Sequence, residues 1–184
     1  SIRAVWGAPA RNCSPDAFID LIRSRRDAVR WVIVETDRGA EESRVGPPLD
    51  GDVRMAFPDL EPGVLAALCS LATIVVTIEC HLIPLTLSTG GKLLVLRGAW
   101  SPAHCTLDAA RCDLSRARWV DPDEMCNCLN SGHNCGGRQL DGASVLRAFD
   151  ELTSQDFIPT PCAIVVPEPQ AVSITPSQTL DANQ

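Results

Sequence analysis

PGVLAALCSLATIVVTIECHLIPLTLSTGGKLLVLRGAW, residues 62 to 100, is the most continuously apolar stretch of the chain, and its reading decides the fold. Two pieces stand out. A long apolar segment covers residues 64 to 87, and Thr89-Gly90-Gly91 separates it from Lys92 to Arg97, which is apolar at every position between its two cationic ends. A strand without polar alternation is one buried on both faces, as in parallel sheets covered by helices. Within the long segment, residues 64 to 72 are strong helix formers, while Thr73 to Ile78 are mostly β-branched and suit a strand equally well. Length arbitrates for one helix. Its end at Thr89-Gly90-Gly91 permits the positive φ of a tight turn into the strand. The segment is long enough to cross a bilayer. Glu79 and His81 inside it, a kinking Pro84 and flanks without basic anchors argue against a membrane. His81, set among apolar residues, reads as a satisfied core histidine.

Upstream, Trp31-Val32-Ile33-Val34 is a second strand that lacks alternation and is therefore expected to be buried on both faces. It runs into Glu35-Thr36-Asp37, and in open α/β sheets ligands gather at the carboxyl ends of the strands. Two buried strands joined by a helix make a βαβ unit, whose crossover is expected to be right-handed. Ser14-Pro15-Asp16 opens a helix, with Ser as N-cap, Pro at the first helical position, Asp in the first turn and Phe18, Leu21, Ile22, Ala28 and Val29 as its buried stripe. Arg23, Arg25, Arg26 and Asp27 form its solvated face. Residues 38 to 60 are polar and rich in Pro and Gly, an irregular connection holding at most a short strand at Val53–Phe57; connections of this length are commonly lids or binding loops. Asp59 is a candidate N-cap for the helix that follows. SIRAVWG near the start is a possible short strand. Leu140 to Leu152 forms an amphipathic helix on Val145, Leu146, Phe149 and Leu152, and a last strand follows at Cys162 to Val166.

A chain of 184 residues with 45% hydrophobic content is expected to form one domain, residues 1–166, followed by a linker or the start of a β module at 167–184. The formal charge of −7 excludes a general electrostatic grip on nucleic acid, so any such contact is local. The cations are 15 Arg and one Lys, a usage that reads as GC-rich coding bias. The chain starts at Ser1 without an initiator Met, which suggests a processed or excised piece of a longer protein, and its N-terminus shows no signal-peptide pattern. Nine Cys is an odd number and falls below the density of a disulfide scaffold, which favours a reducing compartment. Cys13, Cys69, Cys80 and Cys162 read as small core hydrophobes.

The other cysteines gather between residues 104 and 137. Cys126, Cys128, His133 and Cys135 have the form C-x-C-x4-H-x-C in a Gly- and Asn-rich loop, and Cys and His are the ligands that zinc selects in tetrahedral sets of four. Three states are open to this loop: a structural zinc site, a disulfide such as Cys105–Cys112 or Cys128–Cys135, or free thiols.

A strand ending in Asp (WVIVETD, 31–37), a loop, a long helix and the turn-strand LSTGGKLLVLR (87–97) resemble the second half of a Rossmann-type S-adenosylmethionine-dependent methyltransferase, over residues 28 to 100. The likeness is to RNA 2′-O-methyltransferases of the RrmJ/FtsJ type and their viral capping relatives. It implies a Rossmann-like, mostly parallel α/β sheet flanked by helices, S-adenosylmethionine as cofactor in the intact parent and an RNA 5′ end as substrate. The family's Lys-Asp-Lys-Glu set lowers the pKa of a lysine facing the ribose hydroxyl. Asp37 matches the family's Asp. Arg97 lies nearest the second Lys, one position later than the family spacing, which turns it to the opposite face of a strand. An arginine stays protonated, so its part would be to hold a phosphate or a developing oxyanion. Glu151 and Glu168 are the candidates for the last acidic residue. The family's G-x-G-x-G cofactor loop has no counterpart, since Trp6-Gly7-Ala8-Pro9 holds one Gly; the resemblance therefore places that loop in preceding sequence.

The tail, PEPQAVSITPSQTLDANQ, resembles the beginning of an immunoglobulin-like module. A methyltransferase-like domain followed by such modules resembles the mRNA-capping turret proteins of turreted reoviruses, which implies a virion or host-cytoplasm setting and neighbouring subunits. Two other readings stand beside this one. The first is a non-enzymatic structural or interaction module of a virion or complex, with the Cys/His loop as its contact or zinc-binding feature; the second is a secreted disulfide-bearing domain.

Overall fold

A computed structural model of the chain describes residues 3–4, 13–35, 43–44, 49–56, 60–98, 113–123 and 139–154. These residues form helices and small sheets, two of the sheets parallel, in an α/β arrangement. The tail and the Cys/His loop lie outside them, as do Cys162–Val166 and the possible N-cap Asp59.

The long apolar segment is not one helix. It divides into helix α2 (Pro62–Leu71), strand β5 (Val75–Thr77) and helix α3 (Leu82–Ser88), with strand β6 (Leu93–Leu96) after the glycine turn. Ala72 leaves the helical region at φ −67°, ψ 135°, where the β-branched run begins. Side-chain branching, which crowds a helix and suits a pleated surface, prevails there over segment length. Pro84 does not kink a helix either. It lies in the first turn of α3, where its missing N–H would have had no helical partner.

At the end of α3, Gly90 takes φ +74°, as the turn requires. Gly91 serves close approach instead: a Cβ there would lie 2.9 Å from the Cys69 carbonyl oxygen and 2.9 Å from Thr86 Cγ2. The Gly91 N–H donates to the Thr86 carbonyl at 2.9 Å. This bare backbone lets α2, α3 and the start of β6 meet.

Strand β7 (Ala117–Val120) completes a parallel sheet in the order β5-β6-β7. Val75 is in register with Leu93, and Leu93 with Ala117. Central β6 has all four residues at 0% exposure, the two-sided burial expected from its sequence. One face carries Leu94, Leu96, Ile78 and Val120. It is covered by Phe18 and Leu21 of helix α1 (Asp16–Ser24) and by Val145, Phe149 and Leu152 of helix α4 (Gly142–Ser154). The other face carries Leu93, Val95 and Ala117 against Ile83 of α3.

Both covering helices begin where local chemistry dictates. Ser14 Oγ accepts the Asp16 N–H at 3.3 Å, and Pro15 already has helical dihedrals. Asp141 accepts from the Ala143 and Ser144 amides at 3.2 and 3.0 Å, satisfying first-turn donors of α4. Helix α1 ends at Ser24, so Ala28 is exposed rather than part of the buried stripe, whereas Val29 packs against the core.

Strand β2 (Val32–Glu35) does not pair with β6. It pairs in parallel with the short strand β4 (Val53–Ala56) as a separate two-stranded sheet. The expected βαβ unit of β2, one long helix and β6 is therefore not formed; the parallel neighbours β5 and β6 are instead joined through α3. Nor is β2 buried on both faces: Ile33 is 9% exposed, while Val32 and its register partner Val53 are 47% and 44% exposed. Trp31 fastens this sheet to the core, its ring 5.8 Å from that of Phe149, and its backbone N–H donates to Asp52 Oδ2 at 2.7 Å. The short run near the N-terminus is strand β1 (Arg3–Ala4), antiparallel to β3 (Ser43–Arg44). Among the described residues, no helix is long and apolar enough to cross a membrane.

Candidate functional site at the strand carboxyl ends

Each strand of the sheet β5-β6-β7 ends in a charged residue. Glu79 comes two residues after β5, Arg97 one after β6 and Asp121 one after β7. Because the strands are parallel and adjacent, these ends share one edge of the sheet. The Arg97 N–H continues the ladder by donating to the Val120 carbonyl at 3.0 Å, which fixes where its side chain leaves the sheet. Its guanidinium lies between the two carboxylates: Nε donates to Glu79 Oε1 at 3.2 Å, and Nη1 to Asp121 Oδ1 at 2.7 Å.

The two carboxylates are not equivalent. The side chain of Glu79 is 17% exposed, that of Arg97 21%, and that of Asp121 51%. A guanidinium removed in part from water needs its donors satisfied, which the less exposed Glu79 does on the inner side. An always-protonated arginine cannot take a proton from a substrate. It can hold an anionic group or neutralise charge that develops on an oxygen.

Beside this cluster, the buried Thr77 hydroxyl lies 3.2 Å from the Cys80 thiol. His81 follows at the start of α3 and is exposed, not a core histidine. Its surroundings in sequence are apolar because it sits in the turn between a buried strand and a short helix. Lys92 is 4% exposed at the opposite, amino-terminal end of β6. It therefore stands away from the cluster.

Of the residues singled out from sequence, Arg97 is placed at this edge. Asp37 lies outside the described residues, as do Cys126, Cys128, His133, Cys135 and Glu168. Glu151 is on α4 and pairs with Arg118 of β7 at 3.5 Å. Glu79 and Asp121 were not singled out. Reading Thr73 to Ile78 as a strand would have placed Glu79 at a strand end, the same signal that marked Asp37. Asp121 follows Ala117–Val120, where alternation of Arg118 with apolar neighbours is the faint mark of a strand.

The described cysteines are free thiols. Burial pushes the Cys13 thiol from 9.0 up to about 12. Burial also raises the Cys69 thiol, an effect that the nearby Thr86 hydroxyl opposes. Thr86 Oγ1 is itself fully buried with no hydrogen-bond partner, a thiol being a weak one. Among the described residues no group of three or more His, Cys, Asp or Glu is arranged to hold a metal ion. Comparison of the chain with protein-family models, curated proteins and solved structures finds no match.

Proposed function

We propose that this chain supplies the substrate-side half of a Rossmann-like RNA cap methyltransferase domain within a larger viral mRNA-capping protein. The observation that carries the reading is the Glu79–Arg97–Asp121 cluster, set across the carboxyl ends of three adjacent parallel strands. Open α/β sheets bind ligands at that edge. The glycine turn into a fully buried β6 supports the same reading. In it, the carboxylate neighbouring Arg97 is Glu79, just past the end of β5, and Asp37 keeps the catalytic role that the resemblance gives it. Arg97 holds an RNA 5′-end phosphate or the charge that develops on the ribose oxygen.

S-adenosylmethionine would supply the methyl group in the intact parent. The described residues do not fit a cradle for it: the strand-to-helix connection Ile78–His81 contains no glycine, and the backbone approach to a cofactor at such a turn relies on one. In this reading the cofactor cradle lies outside the described residues. Zinc at Cys126, Cys128, His133 and Cys135 would be structural, since four protein ligands leave no open position.

A second reading has its own observation. Arg97 is bracketed by carboxylates on both sides, as in an ion-pair network that fastens strand ends in a structural module of a virion, with other subunits as its partners.

Transfer of labelled methyl from S-adenosylmethionine to capped RNA by the intact parent protein separates the two. The enzyme reading expects transfer, and expects Arg97→Gln to lower it about 100-fold, as for loss of one preorganised charge-stabilising donor. A parent protein that transfers no methyl sinks the enzyme reading and leaves the structural one. Normal transfer by a folded Arg97→Gln parent moves the site away from this edge.

A further inference from the structure

We infer that Asp121 is a displaceable internal ligand of Arg97: it occupies the position that an anionic phosphate group takes on binding, while Glu79 keeps the guanidinium in place. From the proposed function this takes only that the natural phosphate is part of an RNA.

The inference rests on how differently the two partners are held. Glu79 meets Nε on the inner side, its side chain 17% exposed, and follows a strand whose end is packed into the core at Thr77 and Ile78. Asp121 meets Nη1 on the outer side with a 51% exposed side chain. Its backbone is fixed, because Val120 before it accepts the Arg97 N–H and Pro122 after it is buried. The side chain alone is free to swing into water. An exposed carboxylate contributes little net attraction, since water solvates it nearly as well as the guanidinium does. Exchanging it for a phosphate oxygen loses one charge-assisted hydrogen bond and forms another, with more negative charge on the incoming group.

The carboxylate also repels anions while it stays in place, as does the chain's net charge of −7. A free phosphate must therefore displace Asp121 unaided. An RNA brings other contacts that help to do so, and this raises its selectivity over small anions. Arg97 is prepared as an anion receptor, with Asp121 as its competitor.

Titration of the chain with inorganic phosphate at low ionic strength tests this, with the Arg97 Nε–H resonance in NMR as reporter. Asp121→Asn keeps the shape of the side chain and removes its charge at an exposed position, so the fold is retained. Phosphate should shift the Arg97 resonance in both forms, with affinity about fivefold higher in Asp121→Asn, the upper range for removing one exposed ion pair. Equal affinity in the two forms overturns the inference, and so does a silent Arg97 resonance under saturating phosphate. The outcome is separable from the methyl-transfer assay. Phosphate binding at Arg97 without methyl transfer by the parent retains this inference and removes the enzyme reading, while methyl transfer with a silent Arg97 does the reverse.

Discussion

The sheet β5-β6-β7 and the pair β2-β4 are both parallel and each contains one unbroken Val-, Ile- or Leu-rich run, β6 in the first and β2 in the second, yet these runs end in opposite environments. In β6 each residue from Leu93 to Leu96 is at 0% exposure, because α1 and α4 cover one face and α3 the other. In the second sheet, Ile33 is buried while the register pair Val32 and Val53 stands nearly half exposed. WVIV and LLVL are alike as sequences. An unbroken apolar run thus identifies a strand, and the helices packed around it decide how many of its faces leave water.

The sharpest way to break this comparison is to truncate one residue in each sheet. Leu94→Ala removes a fully buried side chain from beneath Phe149 and Leu152, and should cost about 2–5 kcal/mol including the cavity left behind. Val32→Ala should stay within about 0.5 kcal/mol, as exposed substitutions generally do. Urea unfolding of both variants measures the difference. Equal costs would mean that the exposed face of β2 is covered in solution.

Two glycines extend the contrast to the helices. Gly91→Ala forces a Cβ to within 2.9 Å of the Cys69 carbonyl and of Thr86, and should cost about 1–3 kcal/mol by overpacking. Gly63→Ala in the first turn of α2 meets nothing within 4 Å and should stabilise by about 0.4–1 kcal/mol through the unfolded state. Thermal melts of the two variants should therefore move in opposite directions.

The parts of this architecture legible in the sequence were those with local causes. Ser14-Pro15-Asp16 announced α1, the stripe Val145, Phe149 and Leu152 announced α4, and Leu93 to Leu96 announced a strand covered on both sides. What was not legible depended on competition or on distance. Residues 64 to 87 offered a helix by length and a strand by branching, and only packing of Ile78 beside Leu94 and Leu96 resolves that competition. The candidate site was half legible for a related reason. Arg97 ends an apolar run and is visible as such, whereas its partners arrive from 18 residues upstream and 24 downstream through strand pairing. Nothing local to Glu79 or Asp121 announces that meeting. Sheet order creates the cluster.

Cys13 probes the face that α1 and α4 share. It is 1% exposed, and burial lifts its thiol from 9.0 to about 12. An unfolded chain ionises this thiol at the ordinary value while the folded chain does not, so the raised pKa stabilises below pH 9. That contribution is lost as pH rises towards 12, by about 1.4 kcal/mol per pH unit for one proton. Denaturation series across that range should fall more steeply for the parent chain than for Cys13→Ala, the difference being this slope; the Cys69 thiol, also raised by burial, contributes to both. The same burial predicts that iodoacetamide at pH 8 leaves Cys13 unmodified in the folded chain, as peptide mass spectrometry would report. Rapid alkylation would show that this face opens, which the exposed sheet does by construction and this one should not.

The smallest effect concerns the ion pair that crosses between the two covering helices. Arg25, just past the end of α1, donates through Nε to Asp150 Oδ1 of α4 at 2.9 Å, and its Nη2 meets the second carboxylate oxygen. Hydrogen bonding from that guanidinium holds the Asp150 carboxyl below its usual range. A depressed folded pKa gives a contribution that is present above the unfolded value, about 3.9, and is lost as pH falls through the folded one. Asp150 is 53% exposed, so the pair should add little to stability at neutral pH. Arg25→Gln should accordingly leave the melting temperature near that of the parent chain at pH 7. It should also raise the Asp150 titration midpoint, read from the carboxyl 13C shift. A large fall in melting temperature would mean that charge, rather than Phe18, Leu21, Phe149 and the leucines of β6, holds the helical cover on the central sheet. The contrast between the two sheets would then need an electrostatic explanation in place of an apolar one.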